Sequence, residues 1–233
     1  MFFVTLVVFG ITANAESTKG HIYLGFDGFF VANAADNWKK DTQNAVDDLV
    51  NVTGYDSAGY AITTYSGMGG RIGAEFPYQK SGINLGFSIG YVQGPSSIIK
   101  IAAASTSAGP AAATEKIKTS FFRLMFELAK TFPLGERSRF SIGGGIGAAQ
   151  GRIESNSTYS GSFITVLGAP AKVTDNKTWT GMTWEINPSF IFPSGTTDLE
   201  LGARYATFPK LKKSDDWSEF EWIPFGIYSA VHF

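Results

Sequence analysis

Hydrophobic and polar residues alternate with period two along most of the chain. The clearest run is Ile83, Leu85, Phe87, Ile89 and Tyr91, separated by Asn84, Gly86, Ser88 and Gly90. Such alternation predicts a strand with two unlike faces. The same division recurs at Ile22, Leu24, Phe26 and Phe30; at Met68, Ile72, Ala74 and Phe76; at Phe122, Leu124, Phe126 and Leu128; and at Phe140, Ile142 and Ile146. It continues through Met182, Trp184, Ile186 and Phe190, then Leu199, Leu201, Ala203 and Tyr205, and finally Ile223, Phe225, Ile227, Val231 and Phe233. These runs make eight predicted strands.

The connections alternate in length. PYQKSG, PLGERS and PSGTTD close three hairpins, whereas the stretches near 33–64, 94–116, 152–178 and 207–221 are long and polar. One rim therefore carries tight turns and the other large loops. Phe76-Pro77, Phe132-Pro133 and Phe192-Pro193 precede the short turns, and the chain ends on Phe233. With Phe225, these phenylalanines are read as an aromatic belt at the short-turn, periplasmic rim.

A soluble sandwich would need a solvated second face. Here the minor faces are Asn84, Gly86, Ser88 and Gly90 in one strand and Ser141, Gly143, Gly145, Gly147 and Ala149 in another. Such small groups suit a crowded interior, so the apolar face must look outward. Lipid alone makes that favourable, and a closed barrel leaves no unpaired edge in lipid. The expectation is an all-β, eight-stranded, antiparallel up-and-down transmembrane barrel. Pro188 inside the sixth strand predicts a bulge. Residues 97–104 and 162–168 are apolar enough to form hairpins above the membrane or, if they enter the wall, a ten-stranded ring.

Composition narrows the picture. Charged residues are 17% of 233, glycine numbers 27 and cysteine is absent. No disulfide, thiolate metal site or cysteine nucleophile is available. A formal charge of −1 supplies no basic field for nucleic acid. The opening MFFVTLVVFGITANA reads as an export signal cleaved before Glu16, leaving residues 16–233 as one barrel domain.

With the strands, the turn asymmetry and the terminal PFGIYSAVHF in view, the chain resembles the small outer-membrane β-barrels of double-membraned bacteria, of the OmpA transmembrane-domain, OmpX, opacity-protein and OmpW type. That resemblance covers about residues 20–233. It implies a cell outer-membrane location, contact with outer-membrane lipid and lipopolysaccharide, a monomer, and a terminal strand read by the barrel-assembly machinery.

Catalysis has a poor inventory: the histidines are two, His21 and His232, both assigned to the rim opposite the long loops as interfacial or turn residues. No metal site, cofactor or enzymatic activity is expected. Gly143-Gly144-Gly145 with Gly147 lacks the ending of a phosphate loop and lies within a strand. The inward-facing charges are Asp27, Arg71, Glu75, Arg123, Glu127, Glu185, Glu200 and Arg204. Unpaired buried charge is costly, so opposite signs should meet and plug the lumen, with a narrow polar conduit as the rival.

The loops hold the remaining chemistry. DNWKKDTQNAVDDLVN places Trp38, Thr42, Ala45, Val46 and Leu49 on one helical face, with Asp36 or Asn37 as cap. Lys210, Lys212 and Lys213 precede Asp215, Asp216 and Glu219. Trp38 and the three lysines are read as contacts for lipopolysaccharide, a host or another surface ligand. The functional expectation is a non-enzymatic surface barrel presenting loops for adhesion, host contact or envelope integrity. The alternative is a porin-like narrow channel for small or apolar solutes, which the OmpW likeness implies.

Overall fold

A computed structural model describes residues 20–30, 34–51, 53–78, 82–135, 138–212, 214 and 219–233. The expected export segment, residues 1–15, and Lys213 lie outside them. Nine strands and two helices follow in order: β1 (His21–Phe29), α1 (Ala34–Asn51), β2 (Ser57–Tyr65), β3 (Gly67–Tyr78), β4 (Ile83–Ser105), β5 (Gly109–Leu134), β6 (Ser138–Gly161), α2 (Ser162–Thr165), β7 (Lys172–Ser194), β8 (Thr197–Ala206) and β9 (Phe225–His232).

Eight of the strands close a ring, β1-β3-β4-β5-β6-β7-β8-β9, and every pairing is antiparallel. Closure comes from β1 against β9, with Tyr23 opposite His232 and Phe29 opposite Gly226. Strand β2 adds no wall segment, because it continues β3 along β4 in the same register: Tyr65 faces Ser96 and Met68 faces Gln93. The ring is eight-stranded, not ten.

The alternation decides which way each side chain points. Phe26, Ile72, Phe87, Phe122, Phe126, Ile146, Trp184, Phe190 and Ile227 are all exposed on the outer wall. On β5 the outward set runs from Phe122 to Phe132. At about 3.3 Å per residue and about 40° of tilt, that run spans about 25 Å of height, the thickness of a lipid-facing belt. Phe76, Phe132, Phe192 and Phe233 are exposed at the short-turn rim. Phe225 is at the opposite rim: it opens β9 against Tyr205, after the long connection from β8, and so does not belong to the periplasmic belt.

Two of the expected loops, 94–116 and 152–178, are largely strand. Strands β4 to β7 run for 23 to 26 residues, whereas β1, β8 and β9 have 9, 10 and 8. The five strands β2, β4, β5, β6 and β7 therefore continue above the belt as an open half-barrel. Residues 97–104 lie in this extension, while 162–168 form α2 and the turn after it. Its open side is filled by Trp38 of α1 and by Phe208, Leu211, Phe220 and Trp222 from the connection after β8, which meet its concave face in one aromatic core.

Two irregularities place the strand phases. The register shift falls between Gln93 and Ser96 of β4, where Pro95 O accepts from Thr119 Oγ1 at 2.7 Å. At Pro188 the expected bulge does not form. The β7–β8 ladder skips two pairs there but resumes in unchanged register, Ile186 with Tyr205 and Ser189 with Gly202. A proline lacking its N–H interrupts the bonding without inserting a residue.

Candidate functional site

The lumen is built from the inward phase of each strand. Asp27 comes from β1, Arg71 and Glu75 from β3, Arg123 and Glu127 from β5, Glu185 from β7, and Glu200 and Arg204 from β8. Strand stagger brings most of them to one level. Arg71 Nη1 donates to Glu127 Oε1 and to Glu185 Oε1, each at 3.0 Å. Arg123 Nη2 donates to Glu185 Oε2 at 2.6 Å, Arg204 Nη1 donates to Asp27, and Arg204 Nε stands 3.6 Å from Glu185 Oε1. Glu185 is thus a hub between three arginines. Asn84 Nδ2 approaches Glu75 Oε2 at 3.5 Å, leaving Glu75 towards the short-turn side of this hub.

Tyrosine and serine hydroxyls complete the carboxylate shells. Tyr23 Oη and Ser88 Oγ each donate to Glu127 at 2.5 Å. Glu200 Oε1 accepts from Ser189 Oγ at 2.6 Å and from Tyr228 Oη, and His232 Nε2 lies 2.8 Å from Glu200 Oε2. His232 stands at the short-turn end of β9, as expected, but its side chain is buried in the lumen network and is not interfacial. Serine and histidine both bond the carboxylate, so it separates them; a nucleophile needs its base directly on it.

Two glycines admit the tyrosines. A Cβ on Gly73 would lie 2.4 Å from Tyr23 Cζ, and one on Gly202 would lie 2.6 Å from Tyr228 Cε1. The Gly143 to Gly147 run is inside β6, with Gly145 against Met125 and Glu127. The rings stack on the guanidinium groups in turn: Arg71 is 5.1 Å from the Tyr23 centroid and Arg204 is 4.4 Å from that of Tyr228.

Above the ion-pair level lies an aromatic cap. Phe29, Phe121, Phe208, Phe220 and Trp222 are buried together with Trp38 of α1. Phe208 and Trp222 stack with centroids 4.6 Å apart, and Phe121 lies 4.5 Å from Phe208. Arg123 joins the two levels, its guanidinium 5.0 Å from the Phe208 ring. Trp179 Nε1 donates to Pro209 O at 2.7 Å and Leu211 bridges to Phe220, which hold the connection in the mouth.

A closed ring with an outward aromatic belt and a polar, filled interior is stable only across lipid. The fold is that of the small outer-membrane β-barrels. No family profile and no curated protein matches the sequence. Solved structures similar to it include neisserial surface protein A, at 10% identity over 93% of this chain and 98% of that one, with a TM-score of 0.44. Ail, the attachment invasion locus protein of Yersinia pestis, is similar at 10% identity over 92% and 97%, with a TM-score of 0.43. The outer membrane protein OprG of Pseudomonas aeruginosa is similar at 11% identity over 92% and 95%, with a TM-score of 0.40.

The loop residues fall differently from their reading as contacts. Trp38 is 5% exposed and stacks on Phe220 at 5.5 Å, so it is consumed by the cap and offers nothing to a partner. Thr42 and Val46 are buried beside it on α1, Leu49 is half-buried and Ala45 is exposed. The helix starts at Ala34, ahead of Asp36 and Asn37. Lys210 Nζ is 2.7 Å from Glu219 Oε1, and this pairing raises its pKa; Lys212 is exposed.

Sequence reasoning passed over Tyr23, Ser189 and Tyr228, and gave Ser88 and His232 no part in the network. Their signal was present, since all lie on the inward phase of their strands. The residues Phe208, Phe220 and Trp222 carried none, because the connection that holds them is irregular and has no period.

Proposed function

We propose that the chain is a non-enzymatic outer-membrane surface barrel with a closed lumen, whose extended half-barrel is displayed to the outside for adhesion, host contact or envelope integrity. One observation supports this reading most: the interior is filled at two successive levels while four wall strands run on beyond the belt. Ion pairs centred on Glu185 fill the first level and the Phe208–Trp222 cap fills the second. On β5 the extension from Ala111 to Phe121 is about 33 Å along the strand.

Display is favoured by the rigidity of this extension. Its inner face is anchored by Ile99, Ile117 and Ile153 packed on the cap, so the sheet stands as a stalk. At its distal end Ile164, Val166 and Leu167 are exposed, a small apolar tip carried well away from the lipid.

Planar-bilayer recording beside a cell-binding assay tests the proposal. The purified barrel should give no discrete currents. Bacteria displaying it should bind host cells or one another, and Ile164→Ser, Val166→Ser, Leu167→Ser together should reduce that binding. Steady currents from the parent protein would favour the narrow-channel reading instead.

A further inference from the structure

The far end of the half-barrel is uncharged. Residues 101–114, which carry the β4–β5 turn, and residues 155–171, which carry the β6–β7 connection, contain no Asp, Glu, Lys or Arg. The two segments are neighbours, since Ala111 pairs with Gly161 and Ala112 with Ser160. Charge resumes at the next residue on every side, at Lys100, Glu115, Glu154 and Lys172, two of each sign. Asp56 meets the same end, where the Thr106 N–H and Oγ1 engage its carboxylate. The apex therefore carries no basic field.

The β6–β7 connection turns its polar groups inward. Val166 and Leu167 both donate their N–H to Ser162 O, at 2.9 and 3.3 Å, and the Ala169 N–H donates to Phe163 O at 2.9 Å. Gly168, at φ +67°, reverses the chain. Ser162 Oγ is buried, 2.9 Å from Tyr55 Oη and 3.2 Å from Gly109 O. Phe163 packs down onto Tyr55, Ala103 and Ala111, which anchors the turn to the sheet. The aliphatic side chains left outside are Ile164, Val166 and Leu167, at 36%, 58% and 46% exposure.

We infer that Ile164, Val166 and Leu167 enter the surface of a facing bilayer of zwitterionic phospholipid. The inference rests on the display reading and names the surface that the displayed end meets. Lipid is selected by aliphatic side chains carried on a turn whose amides are already bonded, because a low-dielectric interface penalises any N–H left without a partner. The charge-free zone behind the turn lets the apex approach headgroups without desolvating an ion: on β5, Glu115 is six residues from Gly109, about 20 Å back along the strand. The chain's own membrane is out of reach, since about 33 Å of β5 separates Ala111 from Phe121. An anionic surface is recognised by clustered lysine and arginine, which the apex lacks; a neutral headgroup layer needs only apolar area.

The chain has no cysteine, so Val166→Cys carries a single environment-sensitive fluorophore. The full barrel is held in nanodiscs, which cover its own lipid belt, and titrated with phosphatidylcholine vesicles. The label should shift to the blue and be quenched by phosphatidylcholine brominated in its acyl chains, whereas the same label at Thr178→Cys, exposed on the outer face of β7, should do neither. Ile164→Ser or Leu167→Ser should each weaken the vesicle response about tenfold, and Leu167→Phe should preserve it. Raised salt or added phosphatidylglycerol should not strengthen it. Heat-modifiable gel mobility establishes that each variant is folded. Absence of quenching, an equal response at Thr178→Cys, a requirement for anionic lipid, or a blue shift on concentrating the barrel without vesicles, as contact with a second copy would give, overturns the inference. Cell binding that depends on the three residues while vesicles give no response would overturn the lipid assignment and leave the display reading standing.

Discussion

Arg71 and Glu127, 56 residues apart and separated by β4 in the ring, meet across the lumen at 3.0 Å. Glu127 also accepts from Tyr23 and Ser88, so its removal leaves three donors facing an absent acceptor. Glu127→Ala and Arg71→Ala should each cost about 3–5 kcal/mol, and the double replacement less than their sum. Urea titration of the refolded barrel and its two single and one double variants measures the coupling; strict additivity would show that the pair does not interact.

The two lumen levels should act as barriers in series. Trp222→Ala removes a fully buried ring and should lower stability by about 3–5 kcal/mol. It should leave bilayer current unchanged, because the Glu185 level still blocks the passage. Combining it with Arg71→Ala and Arg123→Ala should produce discrete currents. Currents from Trp222→Ala alone would show that the ion-pair level is not a barrier.

Gly73→Ala should shift the unfolding midpoint to lower urea, since the added Cβ would lie 2.4 Å from Tyr23. Gly59→Ala, with nothing within 4 Å, is the matched control in β2 and should be neutral. Equal behaviour of the two variants would remove space for Tyr23 as the reason for glycine in β3.

At the distal tip, Asp56 accepts from the Thr106 N–H and Oγ1, each at 2.5 Å, and these bonds hold its carboxyl below the ordinary range. A depressed folded pKa gives stability that is complete above the unfolded value and is lost as pH falls through the folded one. The protection factor of the Thr106 amide, its exchange relative to the intrinsic rate at each pH, should therefore fall on acidification below the normal carboxylate range. In Asp56→Asn the exchange should lack that step; an identical pH profile would dissociate Asp56 from the effect.

Phe233 is exposed on the outer wall, and its N–H donates to Ile22 O at 2.8 Å where the ring closes. Replacing Phe233 by Asp should reduce folded yield in cells more than it reduces stability after refolding into lipid vesicles. Comparable losses in both settings would assign the residue to packing alone.

The period-two pattern by itself determined the eight wall strands, their order and which face meets lipid, because side-chain direction in a strand depends only on residue parity. The same parity placed Arg71, Glu127, Glu185 and Arg204 inside, since a charge on the lipid face is expensive. It also located β9, although Ile223, read as part of its apolar face, lies ahead of the strand's start at Phe225, and the side of the membrane on which Phe225 falls follows from strand direction after the long connection. Partners were decided by tertiary structure. Which carboxylate receives which arginine depends on stagger around the ring, and His232 reaches Glu200 through β8–β9 pairing. The extension above the belt was obscured for a physical reason: in water its outer face is Lys, Thr, Ser and Asn, so the hydrophobic contrast fades while the strands continue. The cap was the least legible element. Phe208, Phe220 and Trp222 are separated by irregular backbone, and only the folded mouth, with Phe121 and Trp38 already in place, brings them into one core.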